Sequence, residues 1–309
     1  MFNVQKSNVK VDKFLTALTV RYDNSEFVGN DLFPEFKVDK ESDKYRIFNK
    51  DGWFTGAPKK ADGAITEEAT LSYDEGTYVT YERAIKDIVT ERAMQNADAP
   101  VRPKIDTTNF LTEKIVISQE LDQWILASGT SGLNQSGYRS VLTATTAWVE
   151  GTAPDILGDL STAIKQISKA IGRRPNRIYF NTEISEAGAL DDKIVEILKI
   201  RTDAMVTGNG LPASLRGMRV LIVDALYNTS DPGITEAYEY IIGNNAVCAW
   251  VNPGHPLTFG RTFVSKTFLV RRWFDGDREG EFIKVNKVYS PKIMSLDSGY
   301  IFTKIVDGT

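Results

Sequence analysis

The sequence predicts an α+β fold, and three observations carry that prediction. Over residues 151–254 a strongly periodic helix alternates with short, buried-looking strands. Beyond Gly254 the pattern turns strand-rich. Between residues 45 and 83 two aromatic, β-branched runs flank a turn. Strand-rich stretches on either side of an alternating unit amount to an α+β organisation.

Residues 1–44 mix Lys, Asp, Asn and isolated aromatics without sustained periodicity. They read as an extended arm with one short helix near 13–22. Such an arm buries too little apolar area alone, so Phe14, Phe27, Phe33 and Phe36 are expected to dock on something else. The runs 45–54 and 69–83 read as strands, because Thr70, Tyr73, Thr77, Tyr78, Val79, Thr80 and Tyr81 favour a pleated backbone. A turn-rich stretch, 56–63, separates them, and Lys59, Lys60, Glu67 and Glu68 charge the tip. A two-stranded ribbon is marginal in isolation and needs a surface to lie on. In an assembling protein that surface is a neighbour.

Residues 83–104 read as a short amphipathic, helical segment ending in the polar, proline-punctuated connector 96–100. A helical pattern follows over 110–128, with Leu111, Ile115, Leu121, Trp124 and Ile125 as its apolar set and Asp106, Thr107 and Thr108 as candidate caps. Gly and Ser then mark 128–137 as a connector. The clearest helix is 155–171, with Ile156, Leu157, Leu160, Ala163, Ile164, Ile167 and Ile171 on one stripe and Gly172 as its stop. Strands are expected at 177–181, 218–224, 238–242 and 246–251, with a helix near 191–200. The tail adds strands at 263–274, 282–289 and 299–306, the first two joined by a turn around Gly276-Asp277 and Gly280.

At 309 residues the chain holds one large domain or two ordinary ones, and 42% hydrophobic residues permit a sizeable core. The net charge is −4, so the molecule as a whole is no polycation for coating nucleic acid. Residues 255–309 carry nine Lys/Arg against six Asp/Glu, which leaves about −7 on the first 254. Cys248 is the single cysteine and His255 the single histidine, so an intrachain disulfide and a Cys/His zinc site are both ruled out. Residues 1–6 lack a basic-then-apolar leader, and no run of about 18 apolar residues occurs. A soluble protein made in a reducing cytoplasm, with no membrane contact, is the expectation.

Each motif that could carry chemistry fails on a required position. Gly208-Asn209-Gly210-Leu211-Pro212-Ala213 has the letters of a dinucleotide turn, but no buried strand precedes it and Pro212 interrupts it, so it reads as a loop. Asp275-Gly276-Asp277 resembles the start of a calcium loop, yet Asn286 stands where a bidentate Glu is needed. His255, among Pro253, Gly254 and Pro256, belongs to a turn and has no carboxylate partner in sequence. Cys248 lies in a strand-like apolar run and acts as a small hydrophobe. Arg173, Arg174 and Arg177 cluster at the end of the 155–171 helix, where positive charge suits the negative end of the dipole, and read as salt-bridging or subunit-interface residues, with nucleic-acid binding as the alternative. Asp191-Asp192 and Glu67-Glu68 are solvated pairs without a third ligand. No cofactor, metal or catalytic residue is expected.

Most of the chain, roughly 45–306, resembles the major capsid proteins of tailed bacteriophages with the Hong Kong 97 fold. The likeness rests on the order of the hairpin up to Tyr81-Glu82-Arg83, the segment 90–100, and the helix around 110–123. It extends to the loop and buried strand over 215–226, to Tyr240-Ile241-Ile242-Gly243, and to Ala249-Trp250-Val251-Asn252-Pro253. The resemblance implies an N-terminal arm (1–44) and an extended hairpin loop lying on a neighbour (45–83). It also implies a peripheral domain with a long spine helix (84–150 and 255–309) and an α/β axial domain (151–254). It implies a non-enzymatic coat protein of the virion that assembles with itself into hexameric and pentameric capsomers. These would form an icosahedral head enclosing double-stranded DNA without sequence-specific binding. Scaffolding, portal and decoration proteins would be further partners. Trp53, Lys59, Lys60, Glu67, Glu68, Arg173 and Arg174 are the candidate inter-subunit contacts. An encapsulin-type nanocompartment shell shares the fold and is the alternative.

Overall fold

The computed structural model describes residues 10–11, 27–48, 56–57, 59–63, 65–66, 68, 73–97, 101–200, 211–230, 235 and 237–306. In chain order the elements are β1 (Lys10–Val11), α1 (Gly29–Leu32), β2 (Glu35–Lys37), β3 (Ser42–Phe48), β4 (Tyr73–Val79), β5 (Tyr81–Thr90), α2 (Glu91–Gln95) and α3 (Pro103–Ser128). Then come β6 (Arg139–Val141), α4 (Ile156–Ile171), β7 (Arg177–Phe180), α5 (Thr182–Leu190), α6 (Asp192–Ile200), β8 (Ser214–Leu215) and β9 (Met218–Ile222). The last elements are β10 (Leu226–Asn228), β11 (Tyr238–Tyr240), β12 (Asn245–Ala249), β13 (Gly260–Asp275), β14 (Gly280–Ile293) and β15 (Gly299–Thr303). The short helix expected near 13–22 lies outside the described residues, as does Phe14.

Two sheets organise the molecule. In the first, β1, β13, β14 and β5 run in that order, and β2 pairs in parallel with β13. The second has the order β6-β15-β12-β7-β9-β8. Helix α3 lies on the first sheet, where Leu111 and Ile115 pack with Val89, Val270, Ile283 and Val285. Helix α4 covers the second. Its apolar stripe, Ile156 through Ile171, is buried with Ile178, Met218, Val220, Cys248 and Phe302. The Asp155 side chain caps its start by accepting from the Gly158 amide (3.3 Å). Gly172, in the left-handed region at φ 68°, ends it.

Three expectations need correction. Residues 83–90 are strand, not helix. Ile85, Ile88 and Val89 match helical spacing, but β5 pairs with β14 along its whole length, and that long-range ladder decides the conformation. Only Glu91–Gln95 is helical there. A helix was missed at α5, where Asn181 caps Ile184 (3.0 Å) and the weak apolar periodicity gave no signal. Finally, β6 and β15, read from sequence as peripheral, pair within the second sheet. Tyr300, Ile301 and Phe302 are buried on both faces of β15, as a strand inside a covered sheet requires.

Helix α3 buries an unusual stripe. Leu111, Ile115 and Trp124 are inside, as the pattern predicts, but so are Gln119, Glu120 and Gln123, while Phe110 and Ile125 are exposed. Gln119 and Glu120 are engaged, and Gln123 bonds through its Nε2 while its buried Oε1 has no partner. Glu120 Oε1 accepts from the amides of Val28 (3.0 Å) and Gly29 (2.7 Å) and from Trp124 Nε1 (2.8 Å). Lys287 Nζ donates to Glu35 (2.6 Å) and to Gln119 Oε1 (2.7 Å). Burial holds the Glu120 carboxyl above the ordinary carboxylate range, against the pull of its three hydrogen bonds.

Two outcomes follow from this packing. Leu160 is fully buried, so Leu160→Asp should lower the unfolding free energy by at least about 3 kcal/mol, read by denaturant titration. A normally stable variant would contradict the placement of α4. Because the Glu120 pKa is raised on folding, its contribution is present at low pH and is lost as pH rises through the raised value. Glu120→Gln should therefore gain on wild type as pH climbs from about 4.5 towards 8, followed by thermal midpoints across that range.

Candidate assembly surfaces

The hairpin β3–β4 is largely exposed. Its strands pair antiparallel from Ser42↔Val79 to Phe48↔Tyr73. Its root is anchored. Tyr78 stacks on Phe263 at 4.4 Å and 8°, Tyr45 lies 5.4 Å from the same ring, and Met294 and Val38 close the cluster. Thr80 donates its amide to Glu41 O (2.8 Å), and Lys266 pairs with Glu41 (2.7 Å). Beyond the root the ribbon has solvent on both faces. The Arg46 guanidinium sits 4.6 Å over Tyr73, and Lys44 pairs with Glu75 at 2.6 Å, both at the surface. Exposed ion pairs of this kind add little stability. Towards the tip Lys59, Lys60 and Glu68 are exposed, and Ile65 is 96% exposed. Trp53 and Glu67 lie outside the described residues.

Arg173 and Arg174 are exposed just after α4, on the second sheet's side of the molecule and away from the hairpin root's aromatic cluster. Arg173 lies 5.2 Å over the Trp250 ring, and Trp250 meets His255 edge-on at 5.0 Å. His255 Nδ1 accepts from the Leu257 amide (3.1 Å), so the imidazole serves the turn. Burial and the Arg173 charge both lower its pKa, which keeps the ring neutral near pH 7.

A groove of about 700 Å³ runs between the C-terminal turns of α3, the loop 129–131, the start of β5 and β14. Arg83 grips both oxygens of Asp122 (2.9 Å each), and the Tyr289 hydroxyl donates to Asp122 (2.9 Å). Burial pushes the Tyr289 phenol up. Exposed Tyr81 and Ile125 form the rim. The charges on its floor neutralise one another, which leaves a contact surface rather than a reacting centre.

The other suspected motifs are structural. Cys248 is fully buried, and desolvation drives its thiol pKa up, so no thiolate forms. Asp275 accepts from the Asp277 amide (3.0 Å) inside the β13–β14 turn. Asp191 caps α6 through the Ile194 amide (3.1 Å), and Asp224 accepts from the Thr182 hydroxyl. Residues 208–210 lie outside the described residues. Among the described residues no three His, Cys, Asp or Glu side chains gather as a metal site, and no helix is long and apolar enough to cross a membrane. Sequence reasoning missed the buried polar set Gln119, Glu120, Gln123 and Lys287, which the exposed Glu35 meets through Lys287. The available signal was the 119–120–123 spacing, in phase with Leu111 and Ile115.

No family model matches the chain. A curated relative, the major capsid protein of Burkholderia phage BcepMu, is 24% identical over 308 residues, 96% of each chain. A solved phage-related protein from Bordetella bronchiseptica RB50 superposes with a TM-score of 0.74 at 20% identity, covering 96% of this chain and 97% of that one. The mature capsid of bacteriophage PhiM1 gives 0.60 at 10% identity, covering 91% and 87%. The SrpI encapsulin of Synechococcus elongatus PCC 7942 gives 0.59 at 11%, covering 94% and 90%. Such structural likeness establishes the fold, which phage heads and encapsulins share, while the end-to-end sequence relative is a phage major capsid protein. This chain has the Hong Kong 97 fold and is similar from end to end to a phage major capsid protein.

Proposed function

We propose that copies of this chain close an icosahedral head around double-stranded DNA, through capsomers of six and five subunits. The end-to-end similarity to a phage major capsid protein is the starting point, and the hairpin carries the rest of the reading. An anchored root with a long ribbon exposed on both faces is costly in a lone subunit and sensible where a neighbour covers it. Residues 45–83 then serve as the extended loop and 1–44 as the arm. Residues 84–138 and 255–298 serve as the peripheral domain, with α3 as its spine, and 139–254, joined by β15 in the second sheet, as the axial domain. Lys59, Lys60, Glu68, Arg173 and Arg174 are exposed, as contact residues must be, and Trp53 and Glu67 complete the set. Scaffolding, portal and decoration proteins are the further partners in this reading. The subunit is made in the host cytoplasm and ends in the virion.

A net charge of −4 suits such a wall, because one that gripped phosphate tightly would hinder packaging and ejection. The encapsulin reading differs in cargo: purified particles holding a genome favour a head, particles holding an enzyme favour a nanocompartment.

Two measurements test the proposal. Deleting 56–63 should leave a subunit that melts as wild type does but no longer closes shells, seen by negative-stain microscopy. Normal shells from that variant would remove the hairpin as a contact element. Light scattering of wild type should report megadalton particles, on the order of hundreds of subunits as a closed multivalent shell requires. Duplex DNA at moderate salt should bind weakly; tight, salt-dependent binding by a persistent monomer would sink the head reading.

A further inference from the structure

The segment 27–37 crosses the seam between the two halves of the subunit and is tied to both. Towards the first sheet, Glu120 receives the Val28 and Gly29 amides, while Asn30 Oδ1 accepts from Gln119 Nε2 (2.7 Å) and Gln123 Nε2 (3.1 Å). Glu35 meets Lys287, the Thr262 hydroxyl donates to Phe33 O (3.1 Å), and β2 adds to β13 in parallel. Towards the second sheet, Arg177 on β7 forms an ion pair with the Asp31 carboxylate and donates to the Asp31 carbonyl (2.7 Å). The Tyr179 hydroxyl reaches the same carboxylate at 3.4 Å.

Between these two sets of ties the segment drives a wedge. Leu32 and Phe33 are fully buried in the one core cluster that contains both Trp124 of α3 and Tyr179, Val247 and Ile301 of the second sheet. Phe33 packs edge-on against Phe259 at 5.4 Å. It comes so close to the start of β13 that a Cβ on Gly260 would fall 2.3 Å from its ring. A side chain there has no room, so the wedge needs that glycine.

We infer that residues 27–37 are a brace that holds the two sheets at one angle, and that in the assembled shell this angle helps set curvature. Its closing contact is Asp31 with Arg177. The second half of the inference rests on the head reading above; the first does not. Arg177 acts here as a positioning residue, through the segment it holds.

Asp31→Asn and Arg177→Gln remove the closing contact at a part-exposed site, where the side chains are 29% and 20% exposed, so both variants should fold. Hydrogen exchange at Val28, Gly29, Asp31 and Phe33 should accelerate about tenfold or more, while α4 and β12 keep wild-type protection. Small-angle scattering of the dissociated subunit should give a larger radius of gyration, and particles should become broader in diameter by microscopy. Arg177→Lys, which keeps the charge, should recover part of the uniformity. Unchanged exchange in 27–37, or a loosened segment with wild-type radius of gyration and particle size, overturns the brace. If wild type itself forms no particles, the head reading fails, and exchange with scattering still decides the brace.

Discussion

Trp124 set edge-on against Tyr179 at 5.5 Å is the contact on which the arrangement of this subunit depends. Two sheets, each with its own helix, bury separate cores, and neither core dictates where the other sits. The shared cluster around Trp124 and Tyr179 does. A buried aromatic pair contributes about 0.5–1.5 kcal/mol beyond its area, and here it also sets direction, because an edge-to-face pair tolerates little rotation. Trp124 is itself aimed by its indole N–H, held on Glu120. The same carboxylate oxygen receives the amides of Val28 and Gly29. One buried acceptor thus aligns a helix, its tryptophan and the incoming strap.

A buried carboxylate is a costly way to organise a seam if stability alone is at stake. Its benefit is specificity of orientation. Apolar side chains at 119, 120 and 123 would pack in several ways, whereas the amides of 28 and 29 satisfy Glu120 in one geometry. In the proposed head, a few degrees of error in each subunit would accumulate around a closed surface, so a fixed seam would matter more than extra melting temperature.

Much of this architecture is legible in the chain. The α4 stripe, its Asp155 cap and Gly172 stop are local signals, and each appears in the structure where periodicity puts it. The long tail strands are legible for the same reason, although β13 and β14 run further at both ends. Residues 83–90 are not, because Ile85, Ile88 and Val89 satisfy two periods at once and only β14, some 200 positions later, chooses between them. The seam was invisible for a different reason. Gln119, Glu120, Gln123 and Lys287 look like surface residues, and what buries them is the remote segment 27–37. Phe33, expected to dock elsewhere, docks within its own subunit.

The quiet setting of Cys248 and His255 and the exposed contact surface have one physical origin. Burial takes Cys248 out of the thiolate range and fixes His255 to its turn, so the polar groups that could react are spent on structure. What remains at the surface is a ribbon with Ile65, Tyr73 and Tyr81 in solvent and a groove whose ions are already paired. In the proposed head each such surface need offer only modest affinity. Modest contacts suit a shell, because subunits that bind weakly can leave a misplaced position before the surface closes, and many copies then make the closed form persistent. A rigid seam complements weak edges: the subunit's shape decides which contacts form together, and their number decides how long they last.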